Sequence, residues 1–141
     1  MTTAIPPRTP SALKLHITEA EWTALYRNGL IQAKVKGTSK ELDPVPVVKS
    51  FYPASSATWL LTEVEPEAPD IAWGLCDLGY PEFGTVSLQD LADFKGVVGL
   101  RIERDRHFNA AAPISRYIDA ARRAGHITKT LRDPSSEDDA A

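Results

Sequence analysis

VVKSFYP (residues 47–53), TWLLTEVEPE (58–67), IAWGLCDLG (71–79), PEFGTVSLQDL (81–91) and VGLRIERDRHF (98–108) follow one another almost without interruption. Each begins as a short β-branched or aromatic run and closes on proline, glycine or an acidic residue, the signature of strands separated by turns. Val47 to Tyr52 stops at Pro53, and Thr58 to Glu65 is closed by Pro66 and Pro69. In the third run Ile71, Trp73 and Leu75 point to one side of a sheet, and Ala72, Gly74 and Cys76 to the other. That small-residue side suits close approach by a helix, a backbone or a ligand. Glu82 to Val86 is a short fourth strand leading into a helix at Ser87. There Ser87 and Asp90 have capping-box spacing, and Leu88, Leu91 and Phe94 make an apolar stripe. Val97 to Asp105 reads as a fifth strand, with Val98, Leu100 and Ile102 toward the core and Arg101, Glu103 and Asp105 on the open side.

Links this short make neighbouring strands antiparallel, and only the one through the Ser87 helix is long enough for a crossover. The expected fold class is therefore α+β: a mostly antiparallel sheet of four to five strands with helices packed on one face.

Working outward, Thr18 and Glu21 form a capping box ahead of Trp22, Leu25 and Tyr26 on one helical face, with Asn28-Gly29 as the expected stop. Residues 30–46 continue that helix beyond a break or form a short strand and then a loop, Pro44 and Pro46 excluding helix there. A last helix is expected from Pro113 to Ala124, burying Ile114, Tyr117, Ile118 and Ala121 and ending at Gly125. Residues 1–12 are expected as a disordered leader, 13–130 as a single domain, and 131–141 as an acidic disordered tail.

The chain has 141 residues, ample for one core without metal or disulfides. One cysteine, Cys76, rules out an internal disulfide and the multi-cysteine zinc patterns. No apolar run approaches the 18 or so residues of a membrane span, and no secretory leader opens the chain, so a cytoplasmic protein without a membrane partner is expected. Net charge is −3, unevenly spread: residues 50–94 hold eight acids and no Lys or Arg, whereas residues 95–132 hold nine basic residues and three acids. Such segregation steers a charged partner unless neighbouring strands cancel it locally.

Two groups carry what chemistry there is. Glu63, Asp77, Glu82, Glu103 and Asp105 stand at or near strand ends, where converging carboxylates would hold Mg²⁺ or Mn²⁺ for a hydrolase or nuclease; solvated turn residues are the plain alternative. RIERDRH (101–107) suits either a ladder of ion pairs or a recognition strip in which Arg101 or Arg104 grips a carboxylate or phosphate. Arg104 falls on the apolar side of the alternation, so its guanidinium needs a carboxylate, for which Glu63 or Glu82 would serve. Arg116, Arg122 and Arg123 on the last helix are the candidates for nucleic-acid phosphates. His16, His107 and His126 have no metal-ligand spacing, and no cofactor or metal site is expected.

The ordered motifs Asp43-Pro44, Pro46-Val47-Val48-Lys49, Trp59-Leu60-Leu61-Thr62-Glu63, Trp73-Gly74-Leu75-Cys76-Asp77-Leu78-Gly79, Pro81-Glu82-Phe83-Gly84 and Gly99-Leu100 with Glu103-Arg104-Asp105 resemble domain-of-unknown-function family 2958 over residues 17–127. That resemblance implies a habitat on plasmids, integrative elements and phages, and brings no activity, cofactor or catalytic residue with it. The expected function is a small non-enzymatic accessory protein of a mobile genetic element, acting by binding a host protein or protein–nucleic-acid complex. Counter-defence, of the anti-restriction or anti-CRISPR type, is its most concrete version. The alternatives are a metal-dependent hydrolase using the strand-end carboxylates and a nucleic-acid binder using the basic last helix.

Overall fold

A computed structural model describes residues 4–128 and 131 of the chain. Helices α1 (Pro10–Lys14) and α2 (Glu19–Val35) precede strands β1 (Val48–Phe51), β2 (Thr58–Glu65), β3 (Ala68–Asp77) and β4 (Pro81–Ser87). Helix α3 (Leu88–Asp93), a 3₁₀ turn (Val97–Gly99), β5 (Glu103–Arg104) and helix α4 (Ile114–Ala124) complete it. The fold class is α+β. β1 to β4 form an antiparallel meander, and the link through α3 carries the chain across the sheet to lay β5 beside β1, giving the order β4-β3-β2-β1-β5.

The larger core lies between the sheet and α1 to α3. Ala12, Trp22, Leu25 and Leu88 meet Val48, Leu61, Val64 and Ala72 there. α4 adds cover on the opposite face, where Ile114, Tyr117 and Ala121 bury Leu60 and Leu75. Leu60 and Leu61 are successive residues serving the two cores, as the two-residue strand period requires.

α2 opens with the expected capping box: Thr18 Oγ1 accepts from the Glu21 amide at 3.1 Å, and Glu21 Oε1 from the Thr18 amide at 2.9 Å. It does not stop at Asn28-Gly29. Gly29 is inside the helix and buried, and a Cβ there would overlap the Val64 carbonyl oxygen and come within 3.1 Å of the carbonyl carbon. The glycine lets the backbones of α2 and β2 approach closely, and Asn28 Nδ2 donates to the Thr62 carbonyl at 2.9 Å beside it. The small side of β3 has a similar cause: a Cβ on Gly74 would overlap the Leu60 carbonyl oxygen of β2, next to the bulge between Leu61 and Glu63. Backbone fills that space.

Two further expectations are corrected. Residues 4–12 are packed, since Trp22 Nε1 donates to the Pro6 carbonyl at 2.9 Å and Thr9 caps α1 with Pro10 in its first turn. The acidic tail, Leu131 aside, lies outside the described residues. The fifth strand is much shorter than its alternation predicts. The Gly96 amide donates to the Leu100 carbonyl at 2.8 Å, and Tyr52 Oη accepts from the Val97 amide at 3.1 Å. This local loop supplies bonds that a strand would take from the sheet. Val98, expected in the core, is 96% exposed at φ 49°. Of its alternate set only Ile102 is buried. Ser87 caps α3 and Gly125 ends α4 as expected.

Candidate functional site

Ile102 plugs into the core, and that anchor sets the strip around it. Arg101 and Glu103 emerge on either side, while Arg104 turns inward at the register position opposite Ser50. The end of α1 and the face of α3 stand against this strip because α1 packs on α3. Together they enclose a cleft of about 640 Å³. Its floor is apolar, formed by Leu15, Leu91, Ala92 and Ile102. Lys14, His16, Arg101, Arg104 and Arg106 supply its polar wall, with Glu103 as the one carboxylate among the lining residues.

The guanidinium groups are held in place by different means. Arg104 Nη1 meets Glu21 Oε2 at 3.4 Å, the two side chains being 17% and 20% exposed. The partner is therefore the capping-box glutamate of α2, neither Glu63 nor Glu82. Arg104 Nε is buried and makes no hydrogen bond among the described residues. Arg101 Nη1 donates to the Ala92 and Phe94 carbonyls at 3.2 and 3.4 Å, capping the end of α3 where carbonyls are left over and the helix dipole is negative. Lys14 Nζ lies 3.5 Å from Asp93 on the exposed rim. Arg101 and Arg106 have no carboxylate at salt-bridge distance among the described residues, so the cleft keeps positive charge after its internal pairs are made. His16 occupies a left-handed conformation, φ 60°, at the turn that closes α1. Non-glycine residues rarely adopt it, and here it turns the chain along the cleft wall.

The five acids do not gather. Glu63 shares a face with Trp73 and is buried at the β2 bulge, where Thr62 Oγ1 lies 3.4 Å away. Burial pushes its carboxyl above the usual range, and Glu65 and Glu41 add to this, while Thr62 and Lys36 oppose it. Asp77 is buried at the end of β3, accepting from the Gly79 and Ile127 amides at 2.9 Å each and so tying the segment after α4 to the β3–β4 turn. Glu82 is exposed on β4, paired with Cys76 and on the same face as it, the face of the sheet opposite Glu63. Asp105 lies 3.7 Å from Lys49 and accepts from the His107 amide. Among the described residues no group of three His, Cys, Asp or Glu side chains is placed to hold a metal ion. Arg116, Arg122 and Arg123 ride on α4, across the sheet from the cleft, with Arg122 and Arg123 exposed in its last turn.

Of the predicted residues, then, Arg101, Glu103 and Arg104 meet in one cleft, and Glu63, Asp77, Glu82 and Asp105 serve separate places. Sequence reasoning missed Lys14 and His16, because their position depends on a helix it did not foresee. Arg106 lay inside the recognised strip without being singled out.

No helix among the described residues is long and apolar enough to cross a membrane. Residues 16–128 match the model of the family described as "Protein of unknown function (DUF2958)". No curated protein and no solved structure matches the chain. The chain belongs to that family, and the matched span holds the strip, α3 and the whole sheet.

Proposed function

We propose that this family member is a non-enzymatic accessory protein of a mobile genetic element that docks the cleft between α1, α3 and β5 onto an acidic segment of a host protein. The observation that carries the reading is a basic wall, with Arg101 and Arg106 outside any ion pair among the described residues, above the apolar floor of Leu15, Leu91, Ala92 and Ile102. An amphipathic acidic segment would satisfy both surfaces: carboxylates on the guanidinium groups, methyl groups on the floor. Nucleic acid fits less well, since no Phe, Tyr or Trp is among the described residues lining the cleft and Glu103 would oppose phosphates. Metal-dependent hydrolysis has less support still, because Glu63, Asp77, Glu82 and Asp105 have separate neighbours and Glu103 lies apart from them in the cleft.

Counter-defence is the concrete form of this reading, supported by the habitat that the family resemblance implies. The test is plasmid establishment in hosts with an active restriction or CRISPR system, comparing the natural chain with Lys14→Glu/Arg106→Glu. The expected result is protection by the natural chain, loss in the variant, and a captured host protein lost in parallel. Equal establishment with and without the gene in every such host would contradict counter-defence. Capture of nucleic acid alone would contradict the protein partner.

A further inference from the structure

We infer that the outer edge of β4 is a second docking surface, taking an extended segment of a protein partner in which Lys or Arg alternates with apolar residues. The two ends of the sheet are treated differently by the fold. β5 closes one end with two residues, whereas β4 closes the other with seven, about 24 Å of strand. No second strand or loop is hydrogen-bonded to the outer side of β4 among the described residues. Proteins ordinarily blunt such an edge with lysine, internal proline or a covering element. β4 has no Lys or Arg, its one proline is its first residue, and the space above Gly84 is open.

Side chains along the edge say what would fit. On the face of Glu82 and Val86, a groove of about 360 Å³ runs between β4 and α3 over Trp59, Cys76 and Leu91, with Glu82 and Asp90 as its charged groups. A lysine or arginine there would lay its alkyl stem on the apolar floor and its charge against those carboxylates. On the opposite face, where α4 packs against part of β4, Phe83 and Thr85 remain exposed, and Leu78 and Tyr80 in the preceding turn are each 73% exposed. Apolar side chains of the added strand would cover that face. Alternation of the two is the pattern strand addition reads. A second copy of this chain is a poorer occupant, because residues 50–94 contain eight acids and no Lys or Arg. This inference does not rest on the basic cleft, which lies beside β5 at the far end of the strand order.

The test uses the full chain, ¹⁵N-labelled, titrated with an end-blocked octapeptide alternating Lys and Val and with its Glu/Val counterpart. The Lys/Val peptide is expected to shift β4 amides and slow their exchange at least about tenfold, and the Glu/Val peptide to leave them unmoved. Glu82→Lys should weaken the Lys/Val peptide about tenfold. Thr85→Lys, at an exposed position on the other face, should weaken it as well by blunting the edge. Equal binding of both peptides, or unmoved β4 amides at millimolar Lys/Val peptide, would overturn the inference. So would a dimer of the free chain abolished by Thr85→Lys, which would make a second copy the occupant.

Discussion

Replacing Gly29 by alanine sets two effects of opposite sign against each other. In an exposed helix interior the change stabilises by about 1 kcal/mol, because glycine gives up more backbone freedom on folding. At Gly29 the new methyl would overlap the Val64 carbonyl oxygen and sit 3.1 Å from its carbon and 3.4 Å from Pro66 Cδ. The obstacle is backbone, so no rotamer change relieves it, and α2 has to move off β2. That displacement loosens the buried contacts of Trp22, Leu25 and Val64 and lengthens the Asn28 bond to Thr62. Overpacking of a close-packed interior costs about 1–3 kcal/mol or more, and the strained interface here is the broadest between helix and sheet. Because the obstacle is backbone, we expect the upper part of that range and a net loss of about 1–2 kcal/mol, or roughly 3–8 °C in Tm for a chain of this size. Urea unfolding followed by tryptophan fluorescence would measure it, with an unchanged m-value indicating that only stability moved. Truncating Val64 to alanine in the same background should not rescue it, since the side chain is not what the methyl meets. A Gly29→Ala protein as stable as the natural chain, or more so, would refute the close-approach account.

Three further outcomes follow from the geometry. Arg104→Met and Glu21→Gln should show a coupling of about 1–2 kcal/mol in a double-mutant cycle, reduced from the fully buried case because both side chains keep about a fifth of their exposure; a coupling near zero would separate Arg104 from the capping box. Glu63→Gln should stabilise the protein at neutral pH. The folded carboxyl holds its proton to higher pH than the unfolded one, so Glu63 costs stability as pH rises through and above the ordinary carboxylate range; the stability gain should vanish below about pH 4, where both states are protonated. Cys76 should ionise at about 11, pushed up by burial and then by Glu82. Its thiolate absorbance should appear only near that pH, Glu82→Gln should lower the midpoint, and stability from this group should fall as pH rises from about 9 to 11.

The sheet was legible because β2, β3 and β4 carry their strand signals within themselves, and turn residues, alternation and burial agree. The capping box at Thr18, the N-cap at Ser87 and the stripe of α4 were legible for the same reason. Gly29 was misread because a local stop signal and a packing requirement look alike in one sequence; only the Val64 carbonyl distinguishes them. Val97 to Asp105 was overextended because its alternation is real, yet Gly96 and Tyr52 offer the backbone local bonds that win over sheet pairing. In the site, the inward turn of Arg104 could be read from alternation with Ile102. Its partner could not, since Glu21 lies 83 positions away in sequence and is joined to it by tertiary packing alone. Lys14 and His16 reach the cleft by the same route.

The most direct test of the cleft as the binding surface is site-specific photocrosslinking in bacterial cells expressing the chain, with a photoreactive residue at Arg106 on the cleft or at Arg122 on α4. The account predicts one host protein crosslinked from position 106, absent from position 122, and lost when Lys14→Glu is added. Crosslinks arising equally from both positions, or from position 122 alone, would contradict it.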